Sequence, residues 1–334
     1  MHVKNNETFF QCVLWVGVIL TLATFGFFVT KWHQSTPNST RFGITYSTTY
    51  AGSLGLDVKQ AYADLIEKLG VRFVRLPVYW PDIEPKKDQY EWSQLDDLVH
   101  YSELHKVKLT LVVGSKVPRW PECYVPNWAQ TMSEEDQQSE TLQMIQSVVE
   151  RYKNSSAVER WQVENEPFFP FGVCEQISDE NLTEQINLVH KLDTRPIQLT
   201  AGGEIEPWRT VAEHADILGI SLYRKTWNKT VGYFEYPLTP EFYAFRASLL
   251  SDLHKKVIVS ELQAEPWFSE SIKQKPLEYW YQAFSEQDFK DHIQFAKELQ
   301  FSEAYLWGAE WWEYMRLHGD NRLWNVAADL FSTK

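Results

Sequence analysis

The sequence predicts an α/β fold, a single barrel of eight parallel strands with helices between them, and two observations support this prediction. Eight short β-rich apolar runs recur along the body of the chain, and amphipathic stretches with apolar residues three and four positions apart alternate with them. Such alternation is typical of parallel strands with crossover helices. Eight repeats over roughly 290 residues fit a closed (β/α)8 TIM barrel better than an open doubly wound sheet.

The elements follow in chain order. The predicted strands are 42–46, 71–76, 109–113, 160–163, 197–200, 217–222, 257–259 and 304–307. The predicted helices are 58–69, 93–105, 134–152, 183–192, 241–254 and 289–299. A dinucleotide-binding open sheet would place GxGxxG after its first strand, and neither that pattern nor GxxxxGK[ST] occurs in the sequence. We therefore expect no nucleotide cofactor, and no other cofactor is indicated.

The N-terminal part of the chain is predicted to lie outside the barrel. Residues 12–29 carry no charge, and the apolar segment 9–30 is long enough to span a bilayer. We predict an uncleaved transmembrane helix at 9–30, after a short tail at 1–8 and before a polar linker at 31–40. Secretion after signal cleavage is the alternative, although no convincing small-x-small site follows the apolar segment. The barrel domain is expected over 41–334, outside the cytoplasm.

Composition limits the kinds of ligand. The chain has 32 Lys+Arg against 45 Asp+Glu, a net charge of −13, which argues against nucleic-acid binding and suits a neutral or cationic substrate. It also has 15 Trp, 16 Tyr and 19 Phe. Large flat rings give rigid contact area, so this excess predicts a binding cleft lined by aromatic side chains.

Two glutamates stand at the ends of predicted strands, where barrel enzymes place their catalytic groups. Glu166 follows the fourth strand in the motif Asn165-Glu166-Pro167, and Glu261 follows the seventh. These strands lie on roughly opposite sides of the barrel mouth, so the two carboxyl groups are expected to face each other across a small ligand. Paired carboxyl groups of this kind cleave glycosidic bonds. Ordinary surface acids are the alternative.

The sequence resembles a known group of enzymes. A run beginning at Arg75 reads RLPVYWPDIEP, and YEW at 90–92 and LD at 95–96 follow it. Together with the two glutamate motifs, this run resembles the clan A glycoside hydrolases, the four-seven superfamily of barrel enzymes, from about residue 41 onward. The His-containing signatures of several clan A families after strands one and three are not evident. The resemblance therefore implies the clan and leaves the numbered family open.

The resemblance also implies roles for individual residues. Glu166 matches the acid/base, Glu261 the nucleophile, and Asn165 the residue that binds the sugar 2-hydroxyl. Arg75 and Tyr223 match the positions that keep the nucleophile ionised and oriented. Trp307 matches the aromatic residue that lies under the cleaved sugar. A neighbouring arginine favours an ionised carboxylate, which suits the nucleophile. An interior ion pair between Arg75 and Glu164 is the alternative.

Other aromatic and acidic residues near strand ends have two interpretations each. We predict that Trp120 and Trp267 stack on sugar rings. Two interpretations remain for four further tryptophans: their rings stack on sugar faces, or they pack in the core. These tryptophans are Trp80, Trp208, Trp311 and Trp312. Two interpretations remain for the glutamates near strand ends: they bind sugar hydroxyls, or they are solvated loop residues. These glutamates are Glu204, Glu206, Glu265 and Glu310.

Cysteine usage agrees with an exported domain. Of three cysteines, Cys12 lies in the predicted anchor, which leaves Cys123 and Cys174 in the body. Their loops follow the adjacent strands three and four, so a disulfide between them is favoured, with two unrelated thiols as the alternative.

We expect a membrane-anchored retaining glycoside hydrolase that acts on oligo- or polysaccharides. A transglycosylase of surface polysaccharide and a non-catalytic carbohydrate-binding barrel are the alternatives. A metal-dependent barrel hydrolase is a third possibility, but the nine His residues form no ligand spacing, so no metal site is predicted. The expected partners are a carbohydrate and, through the N-terminal helix, a membrane. The sequence leaves the sugar, the linkage, exo or endo action and the oligomeric state open.

Overall fold

Eight parallel strands close into a barrel, as predicted. The computed structural model describes residues 40–174 and 176–332. Its strands are β1 (Arg41–Thr45), β2 (Phe73–Pro77), β3 (Lys108–Val113), β4 (Val158–Val163), β5 (Ile197–Gly202), β6 (Ile217–Leu222), β7 (Lys225–Asn228), β8 (Gly232–Glu235), β9 (Lys256–Gln263) and β10 (Glu303–Trp307). The barrel order is β1-β10-β9-β6-β5-β4-β3-β2, and β7 and β8 form a separate antiparallel pair. Each predicted strand overlaps an observed barrel strand.

The six predicted helices are all present, and six more lie in the described residues. In chain order they are α1 (Thr48–Leu54), α2 (Val58–Glu67), α3 (Trp80–Ile83), α4 (Ser93–Leu104), α5 (Glu134–Tyr152), α6 (Asp179–Leu192), α7 (Trp208–Ala212), α8 (Pro240–Ser248), α9 (Leu277–Ala283), α10 (Glu286–Glu298), α11 (Ala309–Leu317) and α12 (Arg322–Ser332). The helix predicted at 241–254 ends early at Ser248. A 3₁₀ turn at Ser251–Leu253 follows, and His254 leaves it with φ of 54°.

Local side-chain chemistry defines several helix starts. Asp57, Ser133 and Ser178 accept hydrogen bonds from backbone N–H groups in the first turns of α2, α5 and α6. Ser285 and Asp288 form a reciprocal capping box at the start of α10. These caps satisfy N–H groups that would otherwise lack partners, so the helix boundaries follow from the sequence.

The β7–β8 hairpin was not predicted. It follows β6 at the barrel mouth, with Lys225 opposite Glu235 and Asn228 opposite Gly232. Asn228 Oδ1 accepts hydrogen bonds from two N–H groups of the turn, and Gly232 has φ of 76°, a conformation that favours glycine. The hairpin adds Thr226 to the wall of the cavity described below.

The N-terminal end of the barrel is closed by ion pairs around Glu303. Its carboxylate accepts hydrogen bonds from Arg41 and Arg160, both at 2.7 Å, and from Lys256. Burial by itself raises the pKa of Glu303, but Arg160, Lys256 and Arg41 together lower it to about 2. This network joins the first residues of β1, β9 and β10 to β4, at the end of the barrel that supports stability in such folds.

Within residues 40–174 and 176–332, no helix combines the length and the apolar character needed to cross a bilayer. The predicted transmembrane helix at 9–30, the tail at 1–8 and nearly all of the predicted linker lie outside the described residues.

Candidate active site

A cavity of about 900 Å³ opens at the C-terminal ends of the barrel strands. Six of the residues predicted from the sequence line it: Glu166, Glu261, Tyr223, Trp307, Trp120 and Trp267. Two more, Arg75 and Asn165, are fully buried within the barrel, where Arg75 donates hydrogen bonds to the lining residue Glu261 and to Asn165. The structure therefore brings the predicted site residues into one place.

Two donors converge on the carboxylate of Glu261, which lies near the end of β9. Arg75 Nη1 donates to Oε1 at 2.7 Å, and the Tyr223 hydroxyl donates to Oε2 at 2.8 Å. Arg75 and Glu261 are 0% and 2% exposed. The alternative ion pair of Arg75 with Glu164 is wrong, because Glu164 instead accepts backbone N–H groups of Ser115 and Lys116. Both oxygens of Glu261 are thus fixed in orientation.

Glu166 has a different environment from Glu261. Its Oε1 accepts a hydrogen bond of 2.6 Å from Ser221, and its backbone N–H donates to Thr200 Oγ1 at 2.8 Å. Burial, followed by the negative charge of Glu261, raises the pKa of Glu166 to about 8. Glu166 is therefore protonated at neutral pH and can donate a proton, as a general acid must.

The loop that holds Glu166 is anchored to the end of β3. Lys116 Nζ donates to the carbonyl oxygens of Glu166 and Phe169 at 2.8 and 2.6 Å. The Glu164 carboxylate fills the space beside Gly114, which has φ of 133°, and a Cβ there would lie 2.4 Å from the carboxyl carbon. Only glycine fits this close approach. The β3 and β4 loops are thus held as one unit.

A disulfide joins the same two loops farther from the barrel. Cys123 and Cys174, the pair favoured from the sequence, are bonded with an S–S distance of 2.00 Å. Val173 N–H also donates to the carbonyl of Pro121 at 3.0 Å. The cross-link therefore restrains the part of the β3 loop that contains Trp120 and its neighbours.

Asn165 is held by one end of its amide group. Its Oδ1 accepts hydrogen bonds from Arg75 Nη2 at 2.6 Å and from Thr200 Oγ1 at 3.1 Å. This leaves Nδ2, which lies 3.5 Å from Glu122 Oε1. The predicted contact of Asn165 with a sugar hydroxyl stays a prediction.

Three predicted aromatic residues reach the cavity in different ways. Trp307 is 6% exposed, and Tyr223 meets it edge-on with ring centroids 6.1 Å apart. Trp267 meets Tyr223 edge-on at 5.6 Å. Trp120, at 67% exposed, stands at the rim against the edge of Phe171. All three rings line the cavity, where aromatic side chains can contact the faces of sugar rings.

Four further tryptophans near strand ends pack in the core. All are at most 3% exposed: Trp80, Trp208, Trp311 and Trp312. Trp80 donates to Glu84, Trp208 to the carbonyl of Gly202, and Trp312 to the carbonyl of Ala264. Core packing is thus the interpretation that holds for this group.

The four further glutamates divide into two pairs. Glu204 and Glu265 line the cavity. Glu206 and Glu310 are buried behind it, where Glu206 accepts the N–H of Gly202 and Glu310 accepts the N–H of Ser47. Solvation of loops is therefore the wrong interpretation for Glu206 and Glu310, because neither is exposed.

The sequence did not reveal Arg119, Glu122 or Tyr50 as site residues. The Arg119 guanidinium lies between the rings of Tyr50, at 3.9 Å, and Trp307, at 4.2 Å. It also pairs with the buried carboxylates of Glu265 and Glu310. Arg119 and Glu122 have φ of 87° and 60°, which local propensity does not predict. The one feature of the sequence that could have indicated these residues is the loop before Cys123, which is rich in charged and aromatic residues.

Comparisons with known proteins support the same class of fold. The family model "Glycosyl hydrolase family 10" matches residues 77–186, a part that includes Glu166 and excludes Glu261. The β-galactosidase BgaA of Clostridium cellulovorans is 21% identical over 170 residues, which cover 45% of this chain. That match spans only 26% of the relative's own length.

Solved structures of two enzymes have the same fold at low sequence identity. Xylanase 10B of Thermotoga petrophila gives a TM-score of 0.56 at 14% identity, over 80% of this chain and 82% of its own. A β-galactosidase of Rahnella sp. R3 gives a TM-score of 0.58 at 12% identity, over 89% of this chain and 56% of its own. Together with the family model, they confirm the predicted resemblance to the glycoside hydrolase barrels of clan A.

Proposed function

We propose that the described barrel, of the clan A glycoside hydrolase type, cleaves O-glycosidic bonds of oligo- or polysaccharides with retention of configuration. The observation that supports this is the difference between two carboxyl groups in one cavity. Burial and the charge of Glu261 raise the pKa of Glu166 to about 8, whereas Glu261 accepts hydrogen bonds from Arg75 and Tyr223. One group can thus donate a proton while the other attacks as a carboxylate.

The reaction would proceed in two displacements. Glu261 attacks the anomeric carbon while Glu166 protonates the departing glycosidic oxygen, which gives a covalent glycosyl ester and a free alcohol. Glu166, now ionised, takes a proton from water as that water attacks the same carbon. The ester bond breaks, and both carboxyl groups return to their starting states. Two inversions at one carbon give net retention.

Neighbouring side chains would position these groups. Arg75 and Tyr223 fix both oxygens of Glu261, and Ser221 fixes one oxygen of Glu166. Because the attacking oxygen is already oriented in the free protein, little reorganisation is needed during attack. The rings of Trp307 and Trp267 would contact the sugar on either side of Tyr223.

A glycan screen tests this proposal. The full-length protein is incubated with xylo-, gluco-, galacto- and aminosugar oligosaccharides, and the anomer of the first product is followed by NMR before it mutarotates. We expect cleavage of at least one series with the anomeric configuration retained. Release of the inverted anomer, or binding without cleavage throughout the panel, contradicts the proposal. Transfer to an added acceptor in place of water would identify a transglycosylase that uses the same two glutamates.

We further propose that the domain acts outside the cytoplasm, attached to a membrane by residues 9–30. The charge-free run at 12–29 and the disulfide between Cys123 and Cys174 support this location, since disulfides persist in oxidising compartments. Alkaline carbonate extraction of membranes tests the attachment, and protease added to intact cells tests the side. N-terminal sequencing of the mature protein distinguishes an anchor from a cleaved signal. Recovery of the protein in the cytosolic fraction would contradict the proposal.

A further inference from the structure

The cavity wall is strongly acidic. Its carboxyl side chains are Glu122, Glu166, Glu204, Glu261, Glu265 and Glu270. Among the described residues that line it, Arg119 is the one basic side chain, and its guanidinium already pairs with Glu265 and with the buried Glu310. The excess of carboxyl groups over cations is therefore concentrated at the site of the proposed chemistry.

Within this wall, Glu122 has an oxygen with no partner. The residue is 4% exposed and lies in the loop after β3, where its N–H donates to the Arg119 carbonyl at 2.7 Å and Cys123 follows in the disulfide. Its Oε1 lies 3.5 Å from Asn165 Nδ2. In the described part of the chain, its Oε2 has no hydrogen-bond partner. A buried carboxyl oxygen without a hydrogen-bond partner is unfavourable. We therefore expect a group of the bound ligand to form a hydrogen bond with Oε2.

The charged groups that face Glu122 locate that ligand group. Burial, followed by the charges of Glu166 and Glu261, raises the pKa of Glu122 well above its usual range, and Lys116 and Arg75 oppose this. Both cations are already occupied: Lys116 Nζ donates to two carbonyl oxygens, and Arg75 donates to Glu261. Glu122 lines the same cavity as Glu166 and Glu261, and its side chain lies 3.5 Å from Asn165, the residue next to Glu166. A ligand group that contacts Glu122 therefore occupies the part of the cavity next to Asn165.

We infer that the sugar bound between Glu166 and Glu261 carries a free amine, and that Glu122 binds it as an ammonium group. This inference depends on the proposed glycosidase function and names its substrate class as a hexosamine without an N-acetyl group. An ammonium group supplies both a donor for Oε2 and a positive charge among three carboxyl groups. A hydroxyl supplies only the donor, and an acetamide adds a bulky neutral acyl group at a buried site.

A matched substrate series tests the inference. Oligosaccharides of glucosamine, N-acetylglucosamine and glucose differ only at the second carbon, and the galactosamine series repeats the comparison in the other configuration. Values of kcat/KM are measured for the full-length protein at about pH 6, where sugar amines are charged. We expect the free-amine oligosaccharides of one configuration to be preferred by about tenfold or more, since hydrogen bonds between charged groups are the strong ones.

Two variants separate recognition from general damage. Glu122→Gln keeps the shape of the side chain but cannot form the carboxylate that pairs with an ammonium group, and we expect kcat/KM to fall about tenfold more for amine substrates than for neutral ones. Glu150→Gln, the same change at an exposed position of α5, should leave the whole series unchanged. Equal or better cleavage of neutral or acetylated sugars by the wild type overturns the inference and leaves the glycosidase proposal standing. An equal loss on every substrate in Glu122→Gln also overturns it, and no cleavage of any glycan overturns both.

Discussion

Arg75 and Glu261 are 186 positions apart in the sequence, yet Nη1 of Arg75 donates to Oε1 of Glu261 at 2.7 Å inside the barrel. The same guanidinium donates to Gln162 and Asn165 at 2.7 and 2.6 Å. A single arginine on β2 therefore orients the proposed nucleophile on β9 and the amide next to the proposed acid after β4. This shared contact explains how two residues from distant strands keep a fixed relation.

The pH dependence of activity should reflect Glu166. Because its pKa is raised to about 8, the proton needed by the leaving oxygen is present below that pH and is lost above it. We expect kcat/KM to fall on the alkaline side with an apparent pKa near 8. A rate that is constant through about pH 9.5 contradicts the assignment of Glu166 as the acid.

Two variants should move the pKa of Glu166 in opposite directions. Glu261→Gln removes the negative charge that contributes to the raised value, so the pKa of Glu166 should fall. Ser221→Ala removes the hydrogen bond that opposes it, so the pKa should rise further. Carboxyl ¹³C NMR titration of glutamate-labelled protein measures both. Shifts of the same sign in the two variants are incompatible with this explanation.

Trp120 should contribute to binding of longer substrates only. Its ring is 67% exposed at the cavity rim, away from Glu261 in the barrel interior. In Trp120→Ala we expect KM for oligosaccharides to rise about fivefold, as loss of about 1 kcal/mol of ring contact implies, with kcat unchanged. Phe245→Ala, at an exposed position outside the cavity, is the control. An equal fall of kcat for short aryl glycosides would contradict this prediction, because it would show that Trp120 contributes to the reaction of the cleaved sugar itself.

The disulfide should stabilise the mouth of the barrel. It closes a loop with a sequence separation of 51, for which about 2–4 kcal/mol of stabilisation is typical. Replacement of both Cys123 and Cys174 by Ser should lower the free energy of unfolding by that amount in urea titrations. A reducing agent should have a similar effect on the wild type and none on the double variant. Equal stability of the two proteins under oxidising conditions contradicts this prediction.

The Glu303 network should control stability at the other end of the barrel. Glu303→Gln leaves Arg41, Arg160 and Lys256 without their shared carboxylate, and we expect a loss of about 3–5 kcal/mol at neutral pH. The folded-state pKa of Glu303 is lowered to about 2, so its contribution is present above its unfolded value of about 4.3 and is lost as pH falls towards 2.

Urea unfolding of the Glu303→Gln variant between neutral and acid pH measures this dependence. The difference from the wild type should shrink below about pH 4, where the unfolded chain already binds the proton. Glu159→Gln is the control, because Glu159 pairs with Arg41 and Arg160 but its side chain is 31% exposed. Its effect should stay below about 1 kcal/mol. A larger effect of Glu159→Gln than of Glu303→Gln contradicts the role given to burial.

The barrel strands were predictable because buried parallel strands are short apolar runs between turn residues. The exception in length is β9, predicted at 257–259 and observed at Lys256–Gln263. Its last part includes Ser260, Glu261 and Gln263, polar residues that are buried in the barrel interior and its mouth. An apolar run cannot indicate these positions, so the predicted strand ends where the functional residues begin.

The candidate site was predictable where residues follow a strand and not where a loop must fold back. Glu166, Tyr223 and Trp307 lie at strand ends, and their positions follow from the barrel itself. Glu122 reaches the cavity because two residues of its loop have positive φ and a disulfide holds the loop in place. Those contacts depend on the whole chain path. For the same reason, the burial of Trp311 depends on α11, which was not predicted.

The most direct test of the central claim is chemical rescue of Glu261→Ala with sodium azide. With the proposed nucleophile removed and Glu166 intact, hydrolysis of an activated aryl glycoside should fall by several orders of magnitude. Azide should restore turnover and give a glycosyl azide with the anomeric configuration inverted from that of the substrate. Hydrolysis at the wild-type rate in this variant would contradict the account, and so would a glycosyl azide of retained configuration.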